Sequence, residues 1–394
     1  MVSEDKINIL FVEMTFDGTV GGSHTCLYNL VSNLNRERFE GCILFFQDNP
    51  FVKKFRDIGV KVYIIKRKPC LSGNIVIRKM LNWYRLVYKQ KKEFLRIINS
   101  HDINLIVINN SIINSNNILE VSSKLKLPVI AYERGYENYS RSHIRLSNKI
   151  SSSVAVSHAI KNNMESQKYR ASTRVIYDGL ALKPVTCQQR ERVGEIKREI
   201  GIPDDGIVIG IVGNLREWKG QEYFVRAFMS LGRKFENMYG LVVGGFGDES
   251  AEYVNFIKGI AEGSDVGKRL RFLGFRDDVQ NLLGIMDVFV HASIRPEPFG
   301  MVILEAMYHK VPVVATNFGG PVETLENGRC GILVPPRDAD AIIEGVEKYL
   351  KDPVFRDKIV ERAYRRVTET FDLRRTVGLV EELFRETVPG ANRF

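Results

Sequence analysis

The sequence lacks the features of a membrane-spanning, secreted or disulfide-stabilised protein. Its five cysteines are an odd number and include no C-x-x-C pair, which argues for a reducing compartment and against a zinc site. No apolar run approaches the roughly 20 residues that cross a bilayer. The first residues, MVSEDKINIL, have no pattern of a cleavable signal. These absences predict a cytoplasmic protein.

The chain has 394 residues, 44% hydrophobic and 26% charged, with a net charge of +10. This length and composition predict a globular protein of two large domains and exclude a disordered one. Residues 1–180 carry 27 basic and 15 acidic side chains, whereas the remainder carries 30 and 32. The excess charge, which favours anionic partners, therefore belongs to the first half.

Lys66 to Arg96 holds ten basic residues and one acid. Apolar residues recur at spacings of three and four between 77 and 99, which predicts an amphipathic helix. One interpretation is a core-facing helix with a solvated basic face. The other is a membrane-surface helix in which Lys89, Lys91 and Lys92 meet an anionic surface. No recognition motif accompanies the charge, so nucleic acid is not an expected partner.

Short Val- and Ile-rich runs alternate with helical patterns, which predicts an α/β protein with parallel sheets. The pattern divides into an N-terminal domain over 1–182 and a C-terminal domain over 190–373, followed by an amphipathic helix over 374–394. Two doubly wound, Rossmann-like domains are expected to face each other across a cleft. Ligands would bind where the carboxyl ends of strands meet the amino ends of helices.

Two carboxylates, Glu297 and Glu305, flank Gly300 in the segment EPFGMVILE. A loop enters a helix at this glycine, so the backbone N–H groups of Gly300, Met301 and Val302 are expected to be free to bind a phosphate. A ligand with its diphosphate on the helix end would meet one acid at each side. Each carboxylate could accept hydrogen bonds from a pair of hydroxyl groups, those of a sugar at one side and those of a ribose at the other.

Two glycine-containing turns precede this segment. GNLREWKG follows the strand IVIGIV and presents Arg216 and Lys219, whose charges can neutralise a diphosphate leaving group. LVVGGFGD ends a strand in a glycine cluster that includes Gly245. It has no third glycine at the dinucleotide spacing, so nicotinamide binding is disfavoured, whereas close approach of a ligand and a plain turn both remain open.

With its neighbouring segments, the second half closely resembles the retaining nucleotide-sugar glycosyltransferases of family four, which have the GT-B architecture. The resemblance covers about 205–370 and rests on the following segments: GNLREWKG (213–220), VVGGFGDE (242–249), RFLGFRDDV (271–279), VHASIRPEPFGMVILEAM (290–307), PVVATNFGGPVETL (312–325) and GRCGILVPPRDADAI (328–342).

The resemblance implies a role for each matching residue. Glu305 would hold the ribose hydroxyls of the donor, and Glu297 would meet hydroxyls of the transferred sugar. Lys219 and the amides of Phe299, Gly300, Met301 and Val302 would bind the diphosphate, and Gly274 and Phe275 would meet the nucleobase. Many members have an arginine where this chain has Asn214, and our hypothesis is that Arg216 supplies the missing charge.

The first half resembles the family more loosely. Gly21 and Gly22 match its glycine-rich loop, which approaches the donor phosphate, and His24 lies beside them. Glu133 or Arg134 stands where many relatives have a histidine on the acceptor side. In GT-B enzymes the last helix crosses back to the N-terminal domain, which the resemblance implies for the terminal helix here.

The expected activity is retaining transfer of a sugar from a nucleotide diphosphate to an acceptor hydroxyl, by same-face attack without a protein nucleophile. Neither a metal nor a cofactor is expected. A bacterial surface polysaccharide or glycolipid is the expected acceptor, and the basic helix would hold the enzyme at the inner face of the membrane. Two alternatives remain, a nucleotide-sugar 2-epimerase and a non-catalytic, membrane-associated binding protein.

Overall fold

The computed structural model describes residues 6–16, 20–66, 74–182, 187–245, 247 and 250–388. The chain forms two compact units. The first contains the chain up to Gly179 together with the segment from Leu373 onwards, and the second contains Leu180–Asp372. Parts of four predicted segments lie outside the described residues: 17–19 of the glycine-rich loop, 67–73 of the basic segment, 246, 248 and 249 of the glycine cluster, and 389–394 of the terminal helix.

The first unit is built on a seven-stranded, fully parallel sheet of order β3-β2-β1-β4-β5-β6-β7. Helices cover both faces of such a sheet, so its strands are near-continuous apolar runs such as INILFVE in β1. The strands are β1 (Ile7–Glu13), β2 (Phe39–Phe45), β3 (Lys61–Ile64), β4 (Leu105–Asn109), β5 (Val129–Glu133), β6 (Ser152–Ala155) and β7 (Thr173–Val175).

The helices of this unit include the predicted amphipathic helix, which runs from Ile75 to Ser100 and contains a single π-helical turn, Tyr84–Tyr88. The helices are α1 (Gly22–Asn33), α2 (Pro50–Asp57), α3 (Ile75–Trp83), α4 (Lys89–Ser100), α5 (Asn116–Leu125), α6 (Arg141–Ser147) and α7 (His158–Ser166).

The second unit repeats the plan with a six-stranded, fully parallel sheet of order β10-β9-β8-β11-β12-β13. Its strands are β8 (Ile207–Val212), β9 (Met238–Val243), β10 (Leu270–Gly274), β11 (Val288–His291), β12 (Val313–Thr316) and β13 (Ile332–Val334). Its helices are α8 (Cys187–Glu199), α9 (Gln221–Lys234), α10 (Ala251–Ala261), α11 (Val279–Leu283), α12 (Met301–Tyr308), α13 (Gly320–Thr324), α14 (Ala339–Lys351) and α15 (Pro353–Thr370). The predicted class, two Rossmann-like α/β domains, is confirmed.

The last helix, α16 (Leu373–Thr387), packs in the first unit. The ring of Phe384 is fully buried, with its centroid 6.2 Å from that of Phe11 and 5.9 Å from that of Phe39. Glu381 accepts a hydrogen bond from the amide of Asn35 at 2.8 Å. The core of this unit is therefore assembled from segments at opposite ends of the described chain.

In both sheets the strand order changes direction at one pair of neighbours, β1 with β4 and β8 with β11. Connections leave these two strands in opposite directions, which opens a crevice at their carboxyl ends. Glu13 and Asn109 face each other across the first pair. The loops that follow β8 and β11 meet at the second pair. Both places carry buried charged side chains.

Candidate active site

The loop after β8 is fixed by close backbone approach. The amide of Leu215 donates to the carbonyl oxygen of Gly245 at 2.8 Å. Gly220 closes the loop in the left-handed region, at a φ of +69°, and a Cβ atom there would lie 1.9 Å from the carbonyl oxygen of Ala292. Only glycine fits this position. The turn that it closes determines where the preceding side chain, Lys219, is directed.

Lys219 meets Glu297 of the loop that follows β11. The Lys219 Nζ donates to Glu297 Oε2 at 2.6 Å, while His291 Nε2 and Ser293 Oγ each lie 3.2 Å from the same oxygen. Glu297 is only 8% exposed. Its burial favours the protonated acid, but the Lys219 ammonium and the His291 hydrogen bond bring the pKa of Glu297 below its usual range. The carboxylate is therefore ionised at neutral pH.

The backbone of Glu297 is held as firmly as its side chain. Its amide donates to the carbonyl oxygen of Phe318 at 3.2 Å, and its carbonyl oxygen accepts from the amide of Gly320 at 2.7 Å. A Cβ atom on Gly320 would lie 2.5 Å from the Cα of Phe299. The loop after β12 thus packs directly against the segment EPFG and fixes where the carboxylate stands.

Gly300 is the N-cap residue directly before α12, with a φ of +92° and no side-chain cap. The first amides of a helix have no partner within the helix, so those of Met301 and Val302 are available to an anion. Glu305 follows one turn later on the same helix. Its side chain is partly buried and has no hydrogen-bond partner within the described residues, and desolvation raises its pKa to about 7.

The other predicted donor residues lie on the neighbouring loops. Asn214 is exposed, and Arg216 is half-buried at the start of the short 3-10 turn Glu217–Lys219. Gly274 ends β10 with a φ of +65°. Phe275 follows it and is 78% exposed. These placements agree with a ligand-binding edge of the sheet, but the contacts of each residue with a donor remain predictions.

Two residues of this cluster were not predicted from the sequence. No role was assigned to His291 or Ser293, although both lie in the segment VHASIRPEPFGMVILEAM. His291 ends β11 and is buried, and its Nδ1 has no hydrogen-bond partner among the described residues. A histidine at the carboxyl end of a strand next to a change in strand order was a usable sign, since such ends line the crevice.

The first unit has a second buried polar cluster, here named the β1–β4 network: Glu13, Asn109, Arg134 and Asp178. Glu13 accepts hydrogen bonds from the Nδ2 atoms of Asn109 and Asn110, the latter at 3.1 Å. Asn109 in turn accepts from Arg134 Nε at 2.9 Å. Arg134 forms a buried ion pair with Asp178. Of these residues, only Arg134 was predicted from the sequence.

Arg134 keeps its charge inside the unit. Burial works against the charged form, but Asp178 raises the pKa of the guanidinium above its ordinary value. The guanidinium carbon also lies 4.9 Å from the centre of the Tyr132 ring. The Tyr132 hydroxyl is buried and has no hydrogen-bond partner among the described residues. The guanidinium therefore contacts both its acidic partner and an aromatic ring inside the unit.

Glu133 and His24 are directed into the unit itself. Glu133 accepts hydrogen bonds from the Ile112 amide at 3.1 Å and from the Tyr139 hydroxyl at 2.7 Å, and burial raises its pKa to about 7. His24 is 2% exposed and its ring stacks parallel to that of Phe45 at 6.1 Å. Glu133 is hydrogen-bonded and His24 is packed against Phe45 within the unit. Their predicted contacts with an acceptor remain predictions. The predicted contact of the glycine-rich loop with the donor phosphate also remains a prediction. A Cβ atom on Gly21 or Gly22 would meet nothing within 4 Å.

The three lysines of the predicted anionic-surface site differ in their surroundings. Lys91 forms an ion pair with Glu120 of α5. Lys89 and Lys92 are exposed, and in the part of the chain that the structure describes they have no ion pair. Within the same ranges, none of the helices combines the length and hydrophobicity needed to cross a bilayer. Nor do His, Cys, Asp or Glu side chains form a group of three that could hold a metal ion there.

Comparison with known proteins agrees with this architecture. Residues 193–366 match the model of the family described as glycosyl transferases group 1. An uncharacterized glycosyltransferase of Methanocaldococcus jannaschii is 34% identical over 204 residues, 50% of each chain. A lipopolysaccharide core biosynthesis mannosyltransferase of Rhizobium leguminosarum bv. viciae is 28% identical over 199 residues, 50% of this chain and 56% of that protein. The crystal structure of Anabaena HepE in complex with UDP and glucose has a TM-score of 0.82 at 23% identity, over 96% of this chain and 100% of that one.

The two Rossmann-like units are those of a GT-B protein. The matched segments span about half the length of the curated relatives. Residues 193–366 are similar to the glycosyl transferases of group 1. The recognition made from the sequence is confirmed at this level, and the narrower assignment to family four stays a prediction.

Proposed function

We propose that this protein transfers a sugar from a nucleotide diphosphate to an acceptor hydroxyl, with retention of the anomeric configuration. The observation that carries the proposal is the ion pair between Lys219, which is partly exposed, and the buried Glu297, beside the amino end of α12. An ammonium and free helix amides at one crevice provide positive charge for a leaving diphosphate. They occupy the place where a doubly wound sheet binds its ligands.

Glu297 serves as a hydrogen-bond acceptor rather than as a general base. Its lowered pKa makes the carboxylate a weak base at neutral pH, since a general base is most effective when its pKa lies near the working pH. Three donors converge on Oε2, which leaves Oε1 for hydroxyls of the transferred sugar. Lys219 has two further N–H groups beyond the one given to Glu297, and these suit the diphosphate oxygens.

Glu305 is the proposed acceptor for the ribose hydroxyls. Its carboxyl group is one turn beyond Gly300 on α12, partly buried and without an internal partner among the described residues. A diol that donates two hydrogen bonds would satisfy it and stabilise its charged form. The exposed ring of Phe275, which follows β10 at the carboxyl ends of the same sheet, offers an apolar surface to the nucleobase.

Retention and metal independence are part of the proposal. Diphosphate charge would be neutralised by Lys219, Arg216 and the amides of α12, which removes the need for a divalent cation. The sugar would be attacked on the face that the diphosphate leaves, with no covalent bond to the protein. Product anomers determined by NMR test retention, and an inverted product would refute it. Full turnover in EDTA tests metal independence, and loss of turnover that Mg²⁺ restores would refute that.

The acceptor is proposed to be a growing cell-surface polysaccharide or glycolipid. This follows the role of one relative, a lipopolysaccharide core biosynthesis mannosyltransferase, and the HepE complex with UDP and glucose makes a UDP-sugar the first donor to test. The decisive assay incubates the protein with UDP-, GDP- and ADP-sugars, with and without lipid-linked saccharides, and follows nucleotide release and product mass.

Each outcome of this assay has one meaning. Transfer to a saccharide supports the proposal, whereas an altered sugar nucleotide without an acceptor identifies an epimerase, and binding without any turnover identifies a binding protein. Glu297→Gln is expected to lower kcat, because an uncharged amide is a weaker acceptor for sugar hydroxyls. Glu361→Gln is the matched control, since Glu361 is half-exposed and lies in a surface ion pair with Lys310.

A further inference from the structure

The helical run from Ile75 to Ser100 is anchored at one end only. In α4, Phe94, Ile97 and Ile98 are buried in the core of the first unit. Asn117 of α5 donates to the carbonyl oxygen of Leu86 at 2.6 Å and fixes the junction between the two parts. In contrast, none of the α3 side chains is buried. The amino-terminal half of the run therefore presents a surface that the described residues of its unit leave uncovered.

This uncovered surface is strongly apolar. Its members are large side chains that are at least half exposed: Ile75 at 57%, Val76 at 70%, Ile77 at 55%, Met80 at 63%, Trp83 at 59%, and Tyr84 and Tyr88 at 50% each. The three aromatic rings lie together, with centroids 5.7 Å apart for Tyr84 and Tyr88 and 6.1 Å apart for Trp83 and Tyr88. We name the whole set of seven side chains the aromatic face. Contiguous apolar surface of this kind marks a binding site.

A basic strip continues the run beyond the aromatic face. Arg85, Lys89, Lys92 and Arg96 are exposed, and their spacings of four, three and four residues place them along one side of the helix. Within the described residues, only Arg96 has an acidic neighbour, Glu93 at 4.0 Å. The ion-paired Lys91 points elsewhere and does not belong to the strip.

The chemistry of the two surfaces favours an anionic lipid bilayer as the partner. Trp and Tyr prefer the level of the lipid headgroups, because their rings are apolar and their N–H and O–H groups are polar. Lysine and arginine beside an apolar face attract anionic headgroups. A second copy of this chain would bring two basic strips together, and like charges oppose such a contact.

We propose that the aromatic face inserts into the headgroup region of an anionic membrane while the basic strip binds its phosphates. The run lies in the plane of the surface, with Met80, Trp83 and Tyr84 directed into the lipid. This changes the sequence-based hypothesis in two ways. The apolar half of the run is the part that inserts into the lipid, and the residues proposed to bind phosphates now include Arg85 and Arg96 but not Lys91. The inference does not depend on the proposed activity, because lipid binding is measured without a substrate.

The experiment uses the whole chain and vesicles of phosphatidylcholine with or without 30% phosphatidylglycerol, roughly the anionic content that gives a strong surface potential. The chain has two tryptophans, Trp83 and Trp218, so a Trp218→Phe variant makes Trp83 the only indole. Its emission is expected to shift to shorter wavelength with anionic vesicles, and brominated acyl chains are expected to quench it. Binding is expected to weaken with added salt.

Matched variants separate the two surfaces. Lys89→Glu with Lys92→Glu is expected to lower partitioning at least about 30-fold, since each cation near the surface contributes roughly fivefold. Trp83→Ser with Tyr84→Ser is expected to abolish insertion. The control is Lys53→Glu with Arg56→Glu, the same change of charge on exposed positions of α2, and is expected to bind as the parent does.

Three results would overturn the proposal. The first is no sedimentation of the parent chain with anionic vesicles. The second is sedimentation that both double variants retain in full, because the two surfaces would then have no part in it. The third is a dimer, found by analytical ultracentrifugation in the absence of lipid and dispersed by Trp83→Ser, because the aromatic face would then be an interface between copies.

Discussion

Removing the charge of Lys219 is expected to invert the pH dependence of the stability of the second unit. Lys219→Met keeps the length of the side chain but leaves the buried Glu297 carboxylate without its ammonium partner. Breaking a buried ion pair from one side costs about 3–5 kcal/mol. For a unit of this size, about 2–4 °C in Tm corresponds to each kcal/mol, so the expected drop is roughly 6–20 °C at pH 8.

The sign follows from the pKa of Glu297. In the parent protein this pKa is lowered, so the pair stabilises the folded state above the unfolded pKa of the acid, and the stabilisation is lost as pH falls toward the folded value. In Lys219→Met only the contacts with His291 and Ser293 oppose the burial of Glu297, so its pKa is expected to rise. The variant then binds more protons when folded than when unfolded, and its stability falls as pH rises from 5 to 8.

Thermal unfolding followed from pH 5 to pH 8 is the assay, with two controls. Lys310→Met removes an ammonium from a half-exposed pair with Glu361 and is expected to cost at most about 1 kcal/mol. Glu297→Gln added to Lys219→Met removes the stranded charge and should recover most of the stability. If Lys219→Met unfolds within 2 °C, or about 1 kcal/mol, of the parent at pH 8, or keeps the parent's pH profile, the buried pair does not exist as described.

The remaining predictions concern a backbone position, a ligand contact and the β1–β4 network. Gly220→Ala is expected to destabilise by about 2 kcal/mol or more in urea unfolding, because the added Cβ meets the Ala292 carbonyl oxygen; Gly263→Ala, also at positive φ but in open space, should cost only about 1 kcal/mol. If Glu305 binds ribose as an anion, UDP affinity measured by calorimetry should rise roughly tenfold from pH 6 to pH 8, since its pKa is about 7; Glu305→Gln should flatten this profile, and an unchanged profile would exclude the role. Arg134→Met should cost about 3–5 kcal/mol in urea unfolding by stranding its buried acidic partner, whereas Arg174→Met, in a half-exposed pair, should cost at most about 1 kcal/mol.

The strands were predictable because parallel sheets covered on both faces need uninterrupted apolar runs. The residues at which strands and helices begin were less predictable. The apolar run VAV at 154–156 predicts a strand, but β6 begins two residues earlier, because Ser152 and Ser153 are buried in the sheet although serine carries no hydrophobic pattern. α2 was not predicted from periodicity, although Asn49 caps it and Pro50 starts it, which is a sequence sign of a helix start.

The sequence indicates single candidate residues of the site but not which of them form pairs. Glu297 and Lys219 were both expected to meet the donor, yet their ion pair depends on which loops the sheet order brings together. His291 and Glu13 were overlooked for a related reason. Each is the last residue of an apolar strand, and a single polar residue at the end of a hydrophobic run is not conspicuous in the sequence. The spacing of residues along the chain also does not show which side chains will be in contact.

The return of α16 to the first unit has a consequence for the order in which the protein is made. The second unit is one continuous stretch, Leu180–Asp372, and can fold as soon as that stretch has left the ribosome. The first unit is synthesised earlier, but until α16 arrives the rings of Phe11 and Phe39 lack Phe384. The unit that is translated first is therefore completed last. Until then, part of its apolar core is exposed and accessible to chaperones.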